Sequence, residues 1–233
     1  TLENYVRELL DSVGYTEHLY GRKILENSCG DGNILVAVVQ RYIDDCVANG
    51  LSRTRIKNGL ARDIYGVEID PEQFQKCIEN LNKVLENNNI NRVEWKIFND
   101  DYLRWNDVSQ FQFIVGNPPY ITYSELAKDE QKYVKENFNT CVKGKFDYCY
   151  AFIEKSIKAL AQDGKMAYLI PSSIFKTVFG LNLRNFIKPY ITVIKDYTQE
   201  KVFDNALVKS SIMVLDKQRQ QGVLHYRDMT LEK

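Results

Sequence analysis

Short apolar runs rich in β-branched and aromatic residues recur along the chain, and stretches with a helical spacing of apolar positions separate them. Seven runs predict strands: KILE (23–26), IYGVEI (64–69), VEWKIF (93–98), FQFIVG (111–116), MAYLIP (166–171), ITVIKDY (191–197) and SSIMVLD (210–216). Helices are predicted from Asn33 to about Asn49, from Pro71 to about Asn87, and from Tyr148 to Ala161. Pro71 suits a first helical turn, where a missing N–H leaves no hydrogen bond unmade. Alternation of this kind builds βα units around a mainly parallel sheet. The segment EKVFDNALVK between the last two runs is too short for a helical crossover, so those strands are expected to be antiparallel. The expected fold is α/β: a doubly wound, mainly parallel seven-stranded sheet with helices on both faces and a C-terminal antiparallel hairpin. The stretch NGLSRTRIKNGLARD (49–63) reads as an irregular insert whose basic residues face solvent.

Length and composition narrow this picture. A chain of 233 residues can be served by one core, so residues 1–233 are expected to form a single domain. Lys plus Arg equals Asp plus Glu at 31 each, so no global charge marks a polyanion-binding protein. The five cysteines form no C-x-x-C pair, which fits reduced thiols in the cytoplasm better than a disulfide framework or a zinc site. No apolar run approaches the ~20 residues that span a bilayer. His18 and His225 lack ligand-like spacing, and no metal is expected. The chain starts at Thr1 without methionine, and it is expected to be cut from something longer at both ends.

Sheets of this class bind ligands beyond the carboxyl ends of their strands. After KILE comes NSCGDGN, where Cys29, Gly30 and Gly32 form a tight loop that lets backbone approach a ligand. Leu35 stands where a dinucleotide fingerprint has its third glycine, and no Lys-Ser/Thr pair follows, so a pyrophosphate ligand is disfavoured. Taken alone, the loop reads better as a plain strand-to-helix turn. Glu26, the last residue of its strand, can hold an ammonium group. Glu68 occupies the position at which such sheets hydrogen-bond ribose hydroxyls, and Ile69 can flank an adenine face. Asp101 offers an acceptor for an exocyclic amine and Tyr102 a ring to stack on it. Asp70 is explained by helix capping, but Glu68 is not. A nucleoside carrying an amino acid would satisfy the set.

The fourth run ends in Gly116-Asn117-Pro118-Pro119-Tyr120. Two prolines fix φ and remove two donors, leaving a stiff segment of acceptors. The Asn117 side-chain oxygen and the Pro118 carbonyl can receive both hydrogens of a planar amino group while Tyr120 stacks on its ring. Such acceptors release a delocalised nitrogen lone pair towards an electrophile.

Together these segments resemble the adenine-N6 group of amino-type DNA methyltransferases. ENSCGDG is similar to that family's cofactor loop, GVEIDP to its ribose-binding acid, NDDYL to its adenine-contacting segment and GNPPY to its catalytic motif. GKFDYCYAFIEKSIKALAQDGKMAYLIPSSIF and KVFDNALVKSSIMVL resemble its later helix, strand and hairpin. The resemblance implies a class I, Rossmann-like fold and S-adenosylmethionine as methyl donor, with Asn117 also touching the cofactor. It implies a flipped adenine of double-stranded DNA as acceptor, and membership of a restriction-modification system. Phe203 matches the residue that stacks on the flipped base opposite the NPPY tyrosine.

The chain departs from the family in two places. No Thr-Pro cover segment precedes the first strand, and nothing after Asp216 is long enough for a target-recognition domain, so DNA contact is expected through a domain missing from this chain. Alternative acceptors are a protein glutamine, an rRNA base or cytosine N4, and a noncatalytic subunit of the same fold is a further alternative. Cytosine C5 chemistry needs a nucleophilic cysteine, and no Pro-Cys pair occurs.

Overall fold

The computed structural model describes residues 2–197, 209–218, 223–226 and 229–232. They fall into two compact units, Thr1–Gly116 and Asn117–Lys233.

The first unit is organised by the short strand β1 (Ile24–Glu26), buried throughout. It pairs in parallel with β2 (Ile64–Glu68) on one side and β4 (Phe111–Gly116) on the other, and β3 (Lys96–Asn99) continues in parallel beyond β2. The order β3-β2-β1-β4 puts Gly66 and Val115 opposite Glu26. Helix α1 (Glu3–Val13) buries Tyr5, Val6, Leu9, Leu10 and Val13, a three-and-four spacing that marks one face. Helix α2 (Asn33–Ala48) buries Ile34, Leu35, Val38, Val39, Tyr42, Ile43 and Cys46.

The expected irregular insert is instead largely helical. Residues Arg53–Asp63 form α3, begun by Ser52, whose hydroxyl accepts from the Arg55 N–H. Ile56, Gly59, Leu60 and Asp63 make its buried face, while Arg53, Arg55 and Arg62 remain exposed. Helix α4 (Pro71–Asn87) opens with Asp70, whose Oδ1 accepts from Glu72 and Gln73 N–H at 2.8 and 2.9 Å. Asp70 therefore carries the capping role assigned to it, worth about 1 kcal/mol.

The second unit contains α5 (Lys128–Asn137), α6 (Cys149–Ala159) and α7 (Leu181–Ile187). Its strands are β5 (Leu160–Pro171), β6 (Ile191–Asp196), β7 (Ser210–Asp216), β8 (Val223–Tyr226) and β9 (Met229–Glu232), in the order β5-β7-β6-β8-β9. β7 is buried along its whole length and antiparallel to both β5 and β6, as the short connection required. The described residues thus hold nine strands rather than seven. The additional pair, β8 and β9, comes from the polar tail, where Val223–Tyr226 alternates between exposed and half-buried positions. Strand β5 also begins six residues before the predicted start at Met166, because the preceding helix stops at Ala159. The mixture of parallel strands, helical connections and terminal antiparallel strands is the α/β class expected.

Candidate active site

Two groups of residues assemble, one in each unit. In the first, the loop after β1 and the end of β2 are tied together by backbone donors. The Cys29 N–H donates to the Val67 carbonyl at 3.1 Å, and the Gly30 N–H donates to Glu68 Oε2 at 2.7 Å. Glu68 Oε1 accepts from the Asp70 N–H at 2.9 Å, so both carboxylate oxygens are oriented by main chain. Gly30 and Gly32 take φ of +54° and +88°, backbone that glycine adopts without penalty. A Cβ on Gly32 would also stand 2.8 Å from the Cys77 sulfur. Cys77 lies on α4 and carried no signal in the sequence. The hydrogen bond between the two sulfurs, and then burial, push the Cys29 thiol far above its ordinary range, so Cys29 is a neutral packing residue.

Glu26 is 2% exposed at the end of β1. Its Oε2 has no hydrogen-bond partner, whereas the Leu35 N–H supports the carboxylate. Burial raises its pKa well above the carboxylate range, and Cys77 and Glu68 nearby add to the shift. A buried carboxyl with an unmatched oxygen beside an open glycine loop fits a cationic ligand group. Ile69 is 68% exposed, while Asn99 Nδ2 holds the backbone around it by donating to the Glu68 and Ile69 carbonyls at 2.8 and 3.1 Å. An apolar side chain displayed on a fixed backbone suits a planar ring.

The end of β3 differs from expectation in detail. Asp101 Oδ1 accepts from the Leu103 N–H at 2.9 Å, and Oδ2 pairs with Arg104. Tyr102 is buried at 3% exposure, its ring centroid 6.3 Å from that of Trp105. The carboxylate keeps lone pairs for a further donor. The Tyr102 ring, by contrast, is part of the packing beneath the turn.

In the second unit, Asn117 follows β4 directly, two residues after Val115. Pro118 is buried, and the Asn117 Oδ1 is enclosed. Burial pushes the Tyr120 phenol above its usual range, opposed by a hydrogen bond with Ser210 at the start of β7. Ser210 is a supporting residue that the motif gives no hint of. The segment beyond the motif is pinned as well. Thr122 bridges to Asp147, the Tyr148 N–H donates to the Ile121 carbonyl at 2.9 Å, and Glu125 Oε2 accepts from the Thr122 N–H and hydroxyl at 2.7 and 2.6 Å. Those two donors hold the Glu125 carboxyl below its ordinary value. Phe203 lies outside the described residues.

The fold and the polar strand ends define a class I methyltransferase architecture. A class I S-adenosylmethionine-dependent methyltransferase structure from Listeria monocytogenes, itself described as putative, matches 99% of this chain and 61% of its own at TM-score 0.66 and 19% identity. The structure of a DrdV–DNA complex matches 97% of this chain and 27% of its own at TM-score 0.74 and 15% identity. In sequence, the Type II methyltransferase M.BstVI of Geobacillus stearothermophilus is 32% identical over 213 residues, which cover 84% of this chain. The chain spans only 37% of that relative's length. The family model for the Eco57I restriction-modification methylase matches residues 39–203. The chain belongs to that family.

Proposed function

We propose that the protein transfers a methyl group from S-adenosylmethionine to the exocyclic N6 amine of a flipped adenine in double-stranded DNA, as the modification activity of a restriction-modification system. The observation that carries this reading is the Asn117-Pro118-Pro119-Tyr120 segment at the end of β4, with its enclosed amide oxygen and anchored tyrosine. Family membership and the DNA-bound structural neighbour support it.

When bound, S-adenosylmethionine supplies an electrophilic methyl group on a sulfonium. Glu26 would hold the amino-acid ammonium, Glu68 the ribose hydroxyls, and Ile69 one face of the adenine. Cys29, Gly30 and Gly32 keep the loop narrow enough for backbone to reach the ligand. Asp101 would accept from the cofactor's exocyclic amine, with Tyr102 stiffening its turn from below. Asn117 and the Pro118 carbonyl take the two hydrogens of the target amine, favouring the geometry in which its lone pair is released. Tyr120 stacks on the extruded base, and Phe203 is assigned the opposite face. Alkylation makes the nitrogen acidic, so no strong base is required. We read residues 1–233 as one catalytic domain of a cytoplasmic enzyme that meets its recognition sequence through chain outside these residues.

The test is transfer of labelled methyl to duplex DNA, followed by nucleoside mass spectrometry. N6-methyladenine is expected, and Asn117→Ala should cost about 2–4 kcal/mol in the transition state, by analogy with removal of an oxyanion donor. Exclusive N4-methylcytosine would overturn the choice of base, and an unchanged rate for Asn117→Ala would overturn the mechanism.

A further inference from the structure

Two segments of the second unit that the catalytic reading does not use, 141–145 and 173–184, come together on its surface. An added Cβ at Gly144 would run into the Phe179 ring, so that ring lies directly on the Gly144 backbone. They contribute Val142, Val178, Phe179 and Leu181, exposed by 47, 83, 47 and 54%. These are four of the nine large apolar residues that stand exposed among the described residues. A concentration of this kind marks a binding surface rather than scattered exposure. The support beneath it is firm: Arg184 Nη1 donates to the Ile174 and Thr177 carbonyls at 3.0 and 2.7 Å, and the Tyr150 and Thr177 hydroxyls meet at 3.4 Å. The charge is one-sided. CVKGK and SIFKTVFGLNLR carry Lys143, Lys145, Lys176 and Arg184 and no acid, although the whole chain is neutral.

We propose that this lysine-rimmed apolar knuckle binds duplex DNA: Lys143, Lys145 and Lys176 meet backbone phosphates while Val178 and Phe179 press against sugars or a base step. Lysines supply the salt-dependent attraction, and apolar wedges stabilise a deformed duplex of the kind that base extrusion creates. The proposal rests on the DNA-methyltransferase reading and adds a second DNA surface, separate from the NPPY segment.

The test measures binding of the wild-type protein and its variants to a fluorescent duplex by anisotropy across a potassium chloride series. Replacing Lys143, Lys145 and Lys176 together by alanine should flatten the plot of log affinity against log salt by about 0.9 for each phosphate that is no longer neutralised. The triple lysine-to-arginine variant should restore the slope. Phe179→Ala should weaken binding about tenfold, the scale of one aromatic side chain packed on nucleic acid, at an unchanged slope. Val178→Ala, at a more exposed position, gives the same readout should removal of the Phe179 ring disturb folding. If the wild type binds and methylates DNA while these variants leave slope and affinity intact, this proposal falls and the enzymatic reading stands. If the wild type neither binds nor methylates DNA, both fall. If the apolar variants instead abolish self-association in sedimentation while DNA binding is kept, the patch is a protein interface and the proposal is overturned.

Discussion

Replacing Glu26 by glutamine separates a binding role from a packing role, because the two predict opposite signs. The carboxyl is buried, one of its oxygens has no partner, and burial raises its pKa. Folding therefore tightens the hold on that proton. The stabilisation this gives is complete below the unfolded carboxylate value of about 4.3, is lost as pH rises towards the folded value, and is absent above it. Glutamine does not titrate, so the stability of Glu26→Gln relative to wild type should climb as pH rises through the same window. A buried polar group left unmatched costs about 1–3 kcal/mol, and glutamine replaces a carboxyl whose ionisation burial penalises by a neutral amide of similar shape. At pH 8 and without cofactor, the variant is therefore expected to be more stable by about 1 kcal/mol, or about 2–4 °C in melting temperature for a chain of this length. Cofactor affinity should move the other way. A charge-assisted hydrogen bond to an ammonium contributes about 1.5–3 kcal/mol, so titration calorimetry with S-adenosylhomocysteine should show a loss of about 10- to 100-fold. Ammonium binding favours the ionised carboxyl, so wild-type affinity should rise with pH and the variant's should stay flat. Unaltered affinity, or a cofactor-free variant less stable than wild type at pH 8, would refute the reasoning.

Further predictions follow from the same packing. Gly32→Ala forces a side chain onto backbone at φ +88° and against the Cys77 sulfur, so it should cost about 1–2 kcal/mol in stability and weaken S-adenosylhomocysteine binding measured by calorimetry. Asp63 is 1% exposed and accepts from the Gly21 N–H at 2.8 Å, the Tyr42 hydroxyl at 2.6 Å and the half-exposed Arg62. Asp63→Ala should cost about 2–3 kcal/mol in urea unfolding, chiefly by orphaning the buried Tyr42 hydroxyl and releasing the Gly21 N–H, while Arg62→Ala should cost less because solvent already screens that pair.

How much of this was legible depended on where each residue's partners lie. The seven strand runs stood out because strands buried on both faces need an apolar centre, and Ile24-Leu25 in β1, Phe113–Val115 in β4 and Ile212–Leu215 in β7 supply one. Helix α3 was hidden because four of its eleven residues are Arg or Lys and its buried face includes Gly59. That glycine is explained only by the Tyr42 hydroxyl and Tyr20 ring approaching it from outside the helix. Strands β8 and β9 were missed for the opposite reason: a weakly buried, short alternation does not differ from a polar tail until its partner β6 is known. Among the candidate site residues, Glu26, Glu68 and Ile69 were singled out by position, since the end of a parallel strand in such a sheet has few structural uses for an acid.

Tyr102 shows where positional reasoning stops. Its place after β3 suggested a stacking ring, yet Trp105 and Phe98 lie three residues after and four before it, and the Trp105 ring sits 5.4 Å from Phe98 and 6.3 Å from Tyr102. An aromatic beside two others has a packing reason to be there, and burial decides between the two uses. The same test favours Ile69. No structural need places an isoleucine at 68% exposure on a backbone fixed by two Asn99 hydrogen bonds, so the apolar residue held out to solvent, rather than the aromatic one, is the better candidate for the adenine-facing role proposed above.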